Sequence, residues 1–225
     1  MMRTLFVFYV VFPSYLLKLL TIYLVLNSCS KEILVTEYVT QIETISIETT
    51  PFKDSTLEGE IKTNTTLDAS KVWLLKGRVS VVDGAILTIP AGTIIKGESG
   101  TGADASTLII ARGAKIDAQG TFQKPIIFTS ISDNVQIGNI YPTSGPSLNV
   151  DIRGLWGGLI ILGNAPSSFS GDVSELQIEG IPTSDTSGLY GGVDPNDNSG
   201  VLKYVSIRHG GAEIGEGNEI NGLTL

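Results

Sequence analysis

The stretch LTIPAGTII at residues 87–95 decides the fold, because the same pattern recurs as LIIARGAKI at residues 108–116. Both copies have the form L-x-I-x-x-G-x-x-I. Residues two apart on a strand point to the same face, so the leucine and first isoleucine of each copy share one face. Glycine permits a sharp corner, and the last isoleucine then re-enters the interior on the next strand. Each copy therefore predicts two short strands folded inward around a small apolar core.

The rest of the chain after residue 30 continues this all-β character. Short β-branched runs alternate with Gly, Asn, Asp and Ser turns, and no stretch shows a convincing helical period. The predicted strands are 57–62, 72–75, 78–82, 86–89, 93–96, 107–111, 114–117, 125–129, 158–162, 175–179, 202–208 and 222–225. A repeat of about 21 residues with several strands per turn predicts a parallel β-helix, whereas a propeller needs about 40 residues per repeat. A β-sandwich is the alternative, but it leaves the regular offset unexplained.

Two long insertions interrupt the predicted helix. Leu159-Ile-Ile161 repeats the opening of the motif well beyond Leu108, so the gap is predicted to hold one or two coils plus an insertion at residues 131–153. The second insertion, residues 181–200, is rich in Gly, Ser, Thr and Asp. Long loops on a rigid scaffold are favoured places for binding residues. The last residues, 219–225, resemble a strand entering a turn, so we expect further coils beyond them.

The N-terminus predicts export and a lipid anchor. An apolar run at residues 4–26 follows Arg3, and the only cysteine of the chain closes it in the sequence Leu26-Asn-Ser-Cys29. This ending resembles the lipobox of bacterial lipoproteins, in which Cys29 would carry the lipid; an uncleaved membrane anchor is the alternative. We therefore divide the chain into a signal peptide at 1–28, a tether or leading strand at 29–56 and the β-helix at 57–225. The expected location is the outer membrane or cell surface, or alternatively a position facing the periplasm.

Charge and composition exclude several classes of protein. The formal net charge of the chain is −8, and the residues after 30 hold 13 basic and 23 acidic side chains, which gives −10. Nucleic acid is therefore not an expected partner, because no basic patch neutralises phosphates. One cysteine and one histidine exclude an internal disulfide, a cysteine-based zinc site and a multi-histidine metal centre.

Four segments resemble a known family: GAILTIPAGTIIKG, LIIARGAKIDAQGTFQKPIIFTS, GLWGGLIILGNAP and NSGVLKYVSIRHGG. They resemble secreted, lipid-anchored proteins of Bacteroidota and other bacteria that form right-handed parallel β-helices of the pectin-lyase-like superfamily. The resemblance implies this fold over about residues 57–225 and an envelope location. It implies no defined reaction, since these motifs describe architecture.

Acidic and amide side chains supply one candidate site. Asp194, Asn196 and Asn198 alternate as oxygen donors in DPNDNSG, which resembles a calcium loop, although Gly200 falls one position late and no Glu follows. An ordinary turn before the next strand is the alternative. Asp83 and Asp104 share the offset of the two motif copies and Asp117 lies near a strand end, but they form no recognised catalytic signature, so we assign no catalytic residue.

Aromatic side chains supply the other candidates. Trp156, flanked by glycines, and Tyr190, in the second insertion, are predicted to contact a ligand such as a glycan; Trp73 and Tyr141 are weaker candidates. Core packing is the alternative for Trp156. His209, beside Arg208, is interpreted as a hydrogen-bond donor to a carbonyl near the Gly210-Gly211 corner rather than as a general base.

These observations leave three functions open. The first is a non-catalytic β-helix scaffold on the cell envelope that binds a glycan or an envelope protein, with Ca²⁺ as the one conceivable cofactor. The second, implied by the superfamily, is a polysaccharide lyase or glycoside hydrolase. The third is a purely structural envelope protein.

Overall fold

The computed structural model describes residues 55–140, 148–168, 174–215 and 218–225, which belong to one compact unit, Ile47–Leu225. The predicted signal peptide, Cys29 with its predicted lipid, and Tyr141 lie outside the described residues. In the described part of the chain, no helix is long and apolar enough to cross a membrane.

The described residues form β-strands and two short 3-10 turns, Gly102–Asp104 and Thr186–Gly188. The strands are β1 (Thr56–Ile61), β2 (Thr65–Thr66), β3 (Val72–Val81), β4 (Ile86–Ile89), β5 (Ile94–Gly97), β6 (Thr107–Ile110), β7 (Lys115–Gln119), β8 (Ile126–Ser130), β9 (Gly158–Ile161), β10 (Leu176–Gln177), β11 (Leu189–Tyr190), β12 (Gly200–Lys203), β13 (Val205–Ile207), β14 (Glu213–Gly215), β15 (Asn218–Glu219) and β16 (Leu223–Thr224).

The strands stack in parallel on three faces of a coil. Face A contains the first half of β3 (72–75), β5, β8 and β13. Face B contains the second half of β3 (78–81), β6, β9 and β16. Face C contains β2, β4, β7 and β12. Because the chain visits A, B and C in turn and each strand pairs with its equivalent one coil later, the predicted parallel β-helix is confirmed, with the right-handed sense that parallel crossovers adopt.

One continuous core fills the coil. Inward residues stack in columns, such as Leu87 on Ile116 in face C and Leu108 on Leu159 in face B. All four of these side chains are essentially inaccessible to solvent. Each buried Leu or Ile contributes roughly 1.5–3 kcal/mol by leaving water, so the columns carry most of the stability.

The glycine of the motif has the predicted conformation. Gly92 has a φ of 88° and Gly113 a φ of 84°, in the left-handed region that disfavours residues with a Cβ. Each glycine lies at a corner, where the chain leaves one face and enters the next. The corner role predicted for this position is therefore confirmed.

The two motif copies do not stack directly on each other, although their offset is close to the length of one coil. Leu87 pairs with Ile116, not with Leu108, because the first copy spans the corner from face C to face A and the second the corner from B to C. The motif therefore describes a strand, a corner and a strand, wherever they fall in the coil. The first coils are near the expected length, since Val72 pairs with Ile94. Later coils are longer: Leu108 pairs with Leu159, so of the two predicted alternatives the gap is a single coil that contains an insertion.

Candidate functional site

The outer side of face A is covered by the first residues of the predicted insertion, 131–140. Ile94 and Ile127 point away from the main core and pack against Val135, with Val72 and Ile140 beside them. These outward side chains would otherwise be exposed on a sheet surface. Face A is therefore closed to a ligand over this patch.

A buried polar cluster fastens this insertion. Lys96 is only 8% exposed, and its Nζ donates to the backbone carbonyl of Asp133 at 2.6 Å. Thr129 Oγ1 donates to the Asp133 carboxylate at 2.7 Å. Burial lowers the pKa of Lys96, and the Asp133 charge opposes that shift. The cluster joins the sheet to the insertion. Lys96 and Thr129 both donate their hydrogen bonds to Asp133.

The outer side of face B is covered by the described parts of two segments, residues 162–199 and 208–222. They form a second hydrophobic cluster with Ile109 and Ile160, the outward residues of β6 and β9. The buried members of the covering segments are Leu162, Ile181, Ala212, Ile214 and Ile220, and Ile178 and Tyr190 pack beside them. Face B is thus a second core layer rather than a surface.

Two arginines fasten the first of these segments. Arg78 Nη1 lies 3.2 Å from Asp185 Oδ2, and Arg112 Nη1 donates to the carbonyl of Gly191 at 2.7 Å. Burial raises the pKa of Asp185, but hydrogen bonds from Ser187 and the Arg78 guanidinium outweigh that effect, so the pKa lies below its ordinary value. Arg112 also pairs with Glu175 at 2.9 Å.

Face C differs because its outward side chains remain in contact with solvent. One row runs across the strands and is formed by Thr66, Thr88, Asp117 and Val201. Lys115 lies on one side of this row, and Gln119 and Lys203 pair on the other. Most of these residues are exposed, Thr88 and Asp117 are half-buried, and none belongs to a hydrophobic cluster of the described chain. Gln119 Nε2 donates to Asp117 Oδ1 at 2.8 Å, so these two groups hold each other in place.

The rim of face C where its strands end carries two exposed aromatic side chains. Phe122 is 79% exposed at the tip of the turn after β7, and Tyr204 is 53% exposed at the corner after β12. Sequence reasoning missed both. Phe122 could have been found from its position among turn residues in GTFQKP. Tyr204 lies in the middle of the predicted strand 202–208, so nothing in the sequence marked it as a corner residue.

The opposite rim carries the predicted calcium loop. Asp194 Oδ1 accepts the Asn196 N–H at 2.9 Å, and Asn198 Oδ1 accepts the Gly200 N–H at 2.8 Å. These are the local bonds of an ordinary turn leading into β12. No group of three or more His, Cys, Asp or Glu side chains that could hold a metal occurs among the described residues. A Ca²⁺ ion on Asp194, Asn196 and Asn198 stays a prediction.

Trp156 is a core residue, so its predicted role in stacking on a ligand is wrong. Its side chain is fully buried and lies parallel to the ring of Phe128 at 6.4 Å. Its indole N–H donates to the Arg208 carbonyl at 2.7 Å. Gly97 on β5 makes room for the indole, because a Cβ there would lie 2.7 Å from the Cβ of Trp156, and the flanking Gly157 permits close packing on β6, because a Cβ there would lie 2.7 Å from the Ser106 carbonyl oxygen. Tyr190 is half-buried against the cluster over face B, and its contact with a ligand stays a prediction.

The other sequence candidates have structural roles. His209 Nδ1 donates to the Ile152 carbonyl at 2.6 Å, which fits the predicted bond to a carbonyl beside the Gly210-Gly211 corner. Asp83 lies at a corner and Asp104 in a 3-10 turn, so this pair does not converge on one strand face despite its shared offset. Trp73 packs partly buried against the main core and donates its indole N–H to the Asp68 carbonyl at 2.9 Å.

Comparison with known proteins agrees with this architecture. A family model described as a pectate-lyase like beta helix domain matches residues 59–225, from the first coil to the last strand. No curated protein and no solved structure matches the chain.

Proposed function

The chain belongs to the family of pectate-lyase-like β-helix domains, and we propose that it is a cell-envelope lipoprotein whose face C binds a glycan without cleaving it. One observation carries the proposal. The chain covers faces A and B with its own insertions and leaves the polar rows of face C in contact with solvent. An envelope protein is the other partner that this surface would suit.

Face C has the geometry that a chain of repeated units requires. Neighbouring strands are about 4.8 Å apart, so equivalent side chains recur along the coil at a fixed spacing. Thr66, Thr88 and Asp117 offer oxygen atoms on three successive rungs, while Lys115 and Lys203 offer donors beside them. Side chains on strands are held more rigidly than side chains on loops, so less conformational entropy is lost on binding.

Glycan binding fits the charge of the surface better than binding of a polyanion. Lysines at 115 and 203 flank the Asp117 carboxylate, so face C mixes both signs. The strongly acidic chain around it would repel a nucleic acid. Neutral sugar hydroxyls bind to mixed donors and acceptors of this kind, because each hydroxyl both donates and accepts a hydrogen bond.

A glycan-array screen of the full chain in detergent micelles tests the proposal. It is run with Ca²⁺ and with a chelator, and the products on each positive glycan are analysed by mass spectrometry. We expect binding without cleavage, and loss of binding in the double variant Lys115→Ala/Asp117→Ala. The matched control, Glu179→Ala, removes an exposed charge from the segment over face B and should bind like the wild type. Cleavage of a bound glycan would replace the proposal with a lyase or hydrolase. Loss of binding with the chelator would support a cation at Asp194, Asn196 and Asn198.

The lipid anchor has a separate test. Cys29→Ala removes the thiol that would carry the lipid, so the variant should leave the outer membrane fraction. Fractionation with an antibody against the chain measures this release, and Ser28→Ala, which keeps a small residue before the cysteine, is the control. Retention of the Cys29→Ala protein in membranes would contradict lipid anchoring and favour an uncleaved anchor.

A further inference from the structure

The rim of face C carries the exposed side chains of Phe122 and Tyr204 on turns that backbone hydrogen bonds hold in place. Two exposed aromatic rings on one turn pair differ from single exposed apolar residues, which are ordinary on protein surfaces. Both flanks of the Phe122 turn are bonded to the Tyr204 corner. The Gly120 N–H donates to the Lys203 carbonyl at 2.7 Å, and the Ile126 N–H donates to the Tyr204 carbonyl at 3.0 Å. The turn is closed by a bond from the Thr121 N–H to the Lys124 carbonyl at 3.1 Å.

Tyr204 occupies this corner at a conformational cost. Its φ is 48°, in the left-handed region, where a bulky residue is an outlier. A glycine would make the same corner without strain, as Gly92 does at the equivalent exit from β4. Residues held in such conformations are concentrated at ligand-binding sites, where the fold determines the strained position.

The neighbouring residue Gly120 accommodates this corner. A Cβ at Gly120 would lie 2.6 Å from the Tyr204 carbonyl oxygen, so only glycine permits the approach of the two turns. Gly120 thus stands where the backbones of the two turns meet, whereas Tyr204 stands at a corner where a glycine would be less strained. This arrangement presents the tyrosine ring at the edge of face C.

Polar groups lie beside the Tyr204 corner. Lys203 Nζ lies 6.0 Å from the centre of the Tyr204 ring, within the range of a cation–π contact. Gln119 pairs with Lys203 across the strands, and its amide is oriented by Asp117. A pyranose has an apolar face of C–H groups and a rim of hydroxyls, so an aromatic ring bordered by amide and ammonium groups complements both.

We infer that Tyr204 and Phe122 form a stacking subsite for a pyranose ring at this edge of face C. The inference rests on the proposed function and names the residues that hold the end of the glycan. The two rings stack on the sugar, while Lys203 and Gln119 bind hydroxyls at its edge. The subsite would set how the glycan is positioned along the rows of face C.

The test compares four variants of the full chain in detergent micelles on the same glycan array. Tyr204→Gly removes the ring and relieves the strained φ, so its melting temperature should equal or exceed that of the wild type. Tyr204→Phe keeps the ring. Phe122→Ala removes the second ring, and Val193→Ala removes a side chain that is 80% exposed in the segment over face B. Dissociation constants for the positive glycans are then measured by isothermal titration.

Tyr204→Gly and Phe122→Ala should each weaken binding about tenfold or more, as truncation of an aromatic hot spot does. Tyr204→Phe and Val193→Ala should bind within about twofold of the wild type. If the wild type binds a glycan and the two ring deletions bind equally well, the stacking subsite is wrong while the proposed function stands. If the wild type binds no glycan, including acidic and neutral oligosaccharides, both are overturned.

Discussion

Faces A and B differ from face C in the solvent exposure of their outward side chains. The inward positions of all three faces are alike, with stacked aliphatic residues that are buried in the main core. Outward positions are buried where an insertion covers them, as at Ile94, Lys96 and Ile109, whereas on face C they stay in contact with solvent and are mostly polar, as at Thr88 and Lys115. Inward residues therefore specify the coil, and outward residues specify which surface stays available.

The difference follows from where the chain lengthens its coils. The long segments leave the coil between A and B or between B and C, and described residues of each pack on the outer side of face A or face B. The corner between C and A stays short in every coil, and its segments are 67–71, 90–93, 120–125 and Tyr204 alone. Face C is consequently bordered on that side by tight turns, which carry Phe122 and Tyr204.

The largest expected effect comes from placing a charge on the inward side. Ile110→Asp puts a carboxylate into the fully buried column beside Val81, where no partner can neutralise it. We expect loss of more than about 4 kcal/mol and no cooperative unfolding transition in thermal melts followed by circular dichroism.

Its control places the same charge on face C. Thr66→Asp changes an exposed outward residue and should alter stability by no more than about 0.5 kcal/mol. If both variants melted like the wild type, the assignment of inward and outward positions would be wrong.

The second prediction compares two aromatic residues of opposite surroundings. Trp156→Ala empties a fully buried position and leaves the Arg208 carbonyl without its indole donor. A loss of about 3–5 kcal/mol is expected from urea denaturation. Phe122→Ala, at a position 79% exposed, should change stability by less than about 0.5 kcal/mol. Equal losses for the two variants would contradict the contrast between the covered core and the open rim.

Local pattern is enough to predict the strands and the direction of their side chains. The predicted strand at 86–89 has its observed bounds, because alternation and a following glycine are properties of neighbouring residues. Which strand stacks on which is not predictable from the motif. Stacking joins residues that are far apart in the chain, such as Ile116 with Gly200, and depends on insertion lengths that no local pattern encodes.

The candidate site was harder to predict than the fold for a related reason. Glycines beside Trp156 suggested an open ring, yet Gly157 permits close approach to Ser106 instead, and Gly97 on β5 makes room for the indole. For Tyr204 the error was the opposite, because an exposed ring was not predicted. Its left-handed corner is imposed by the pairing of β12 and β13 with strands of the previous coil, and no glycine or proline marks it. Whether the side chains of Trp156 and Tyr204 are exposed can be predicted only when the stacking of the coils is known.

The smallest predicted effect concerns the ion pair that holds an insertion on face B. The Arg78–Asp185 pair is half-buried, and the pKa of Asp185 lies below its ordinary value of 3.8 because hydrogen bonds from Ser187 and the Arg78 charge outweigh the effect of burial. The Asp185 carboxylate therefore binds a proton less readily in the folded protein than in the unfolded chain. The stabilisation is complete above pH 3.8 and is lost as the pH falls through the lower pKa of the folded state.

A double-mutant cycle with Arg78→Ala and Asp185→Asn should give a coupling of about 0.2–1 kcal/mol well above pH 3.8 and almost none well below it. The cycle on Lys76 and Glu58, a more exposed pair outside the covering segments, is the control and should give the smaller coupling at neutral pH. If the Arg78–Asp185 coupling did not change with pH, or if the exposed pair coupled more strongly, this ion pair would have no part in closing face B, and the insertion would be held by its hydrophobic cluster and the Arg112 contacts.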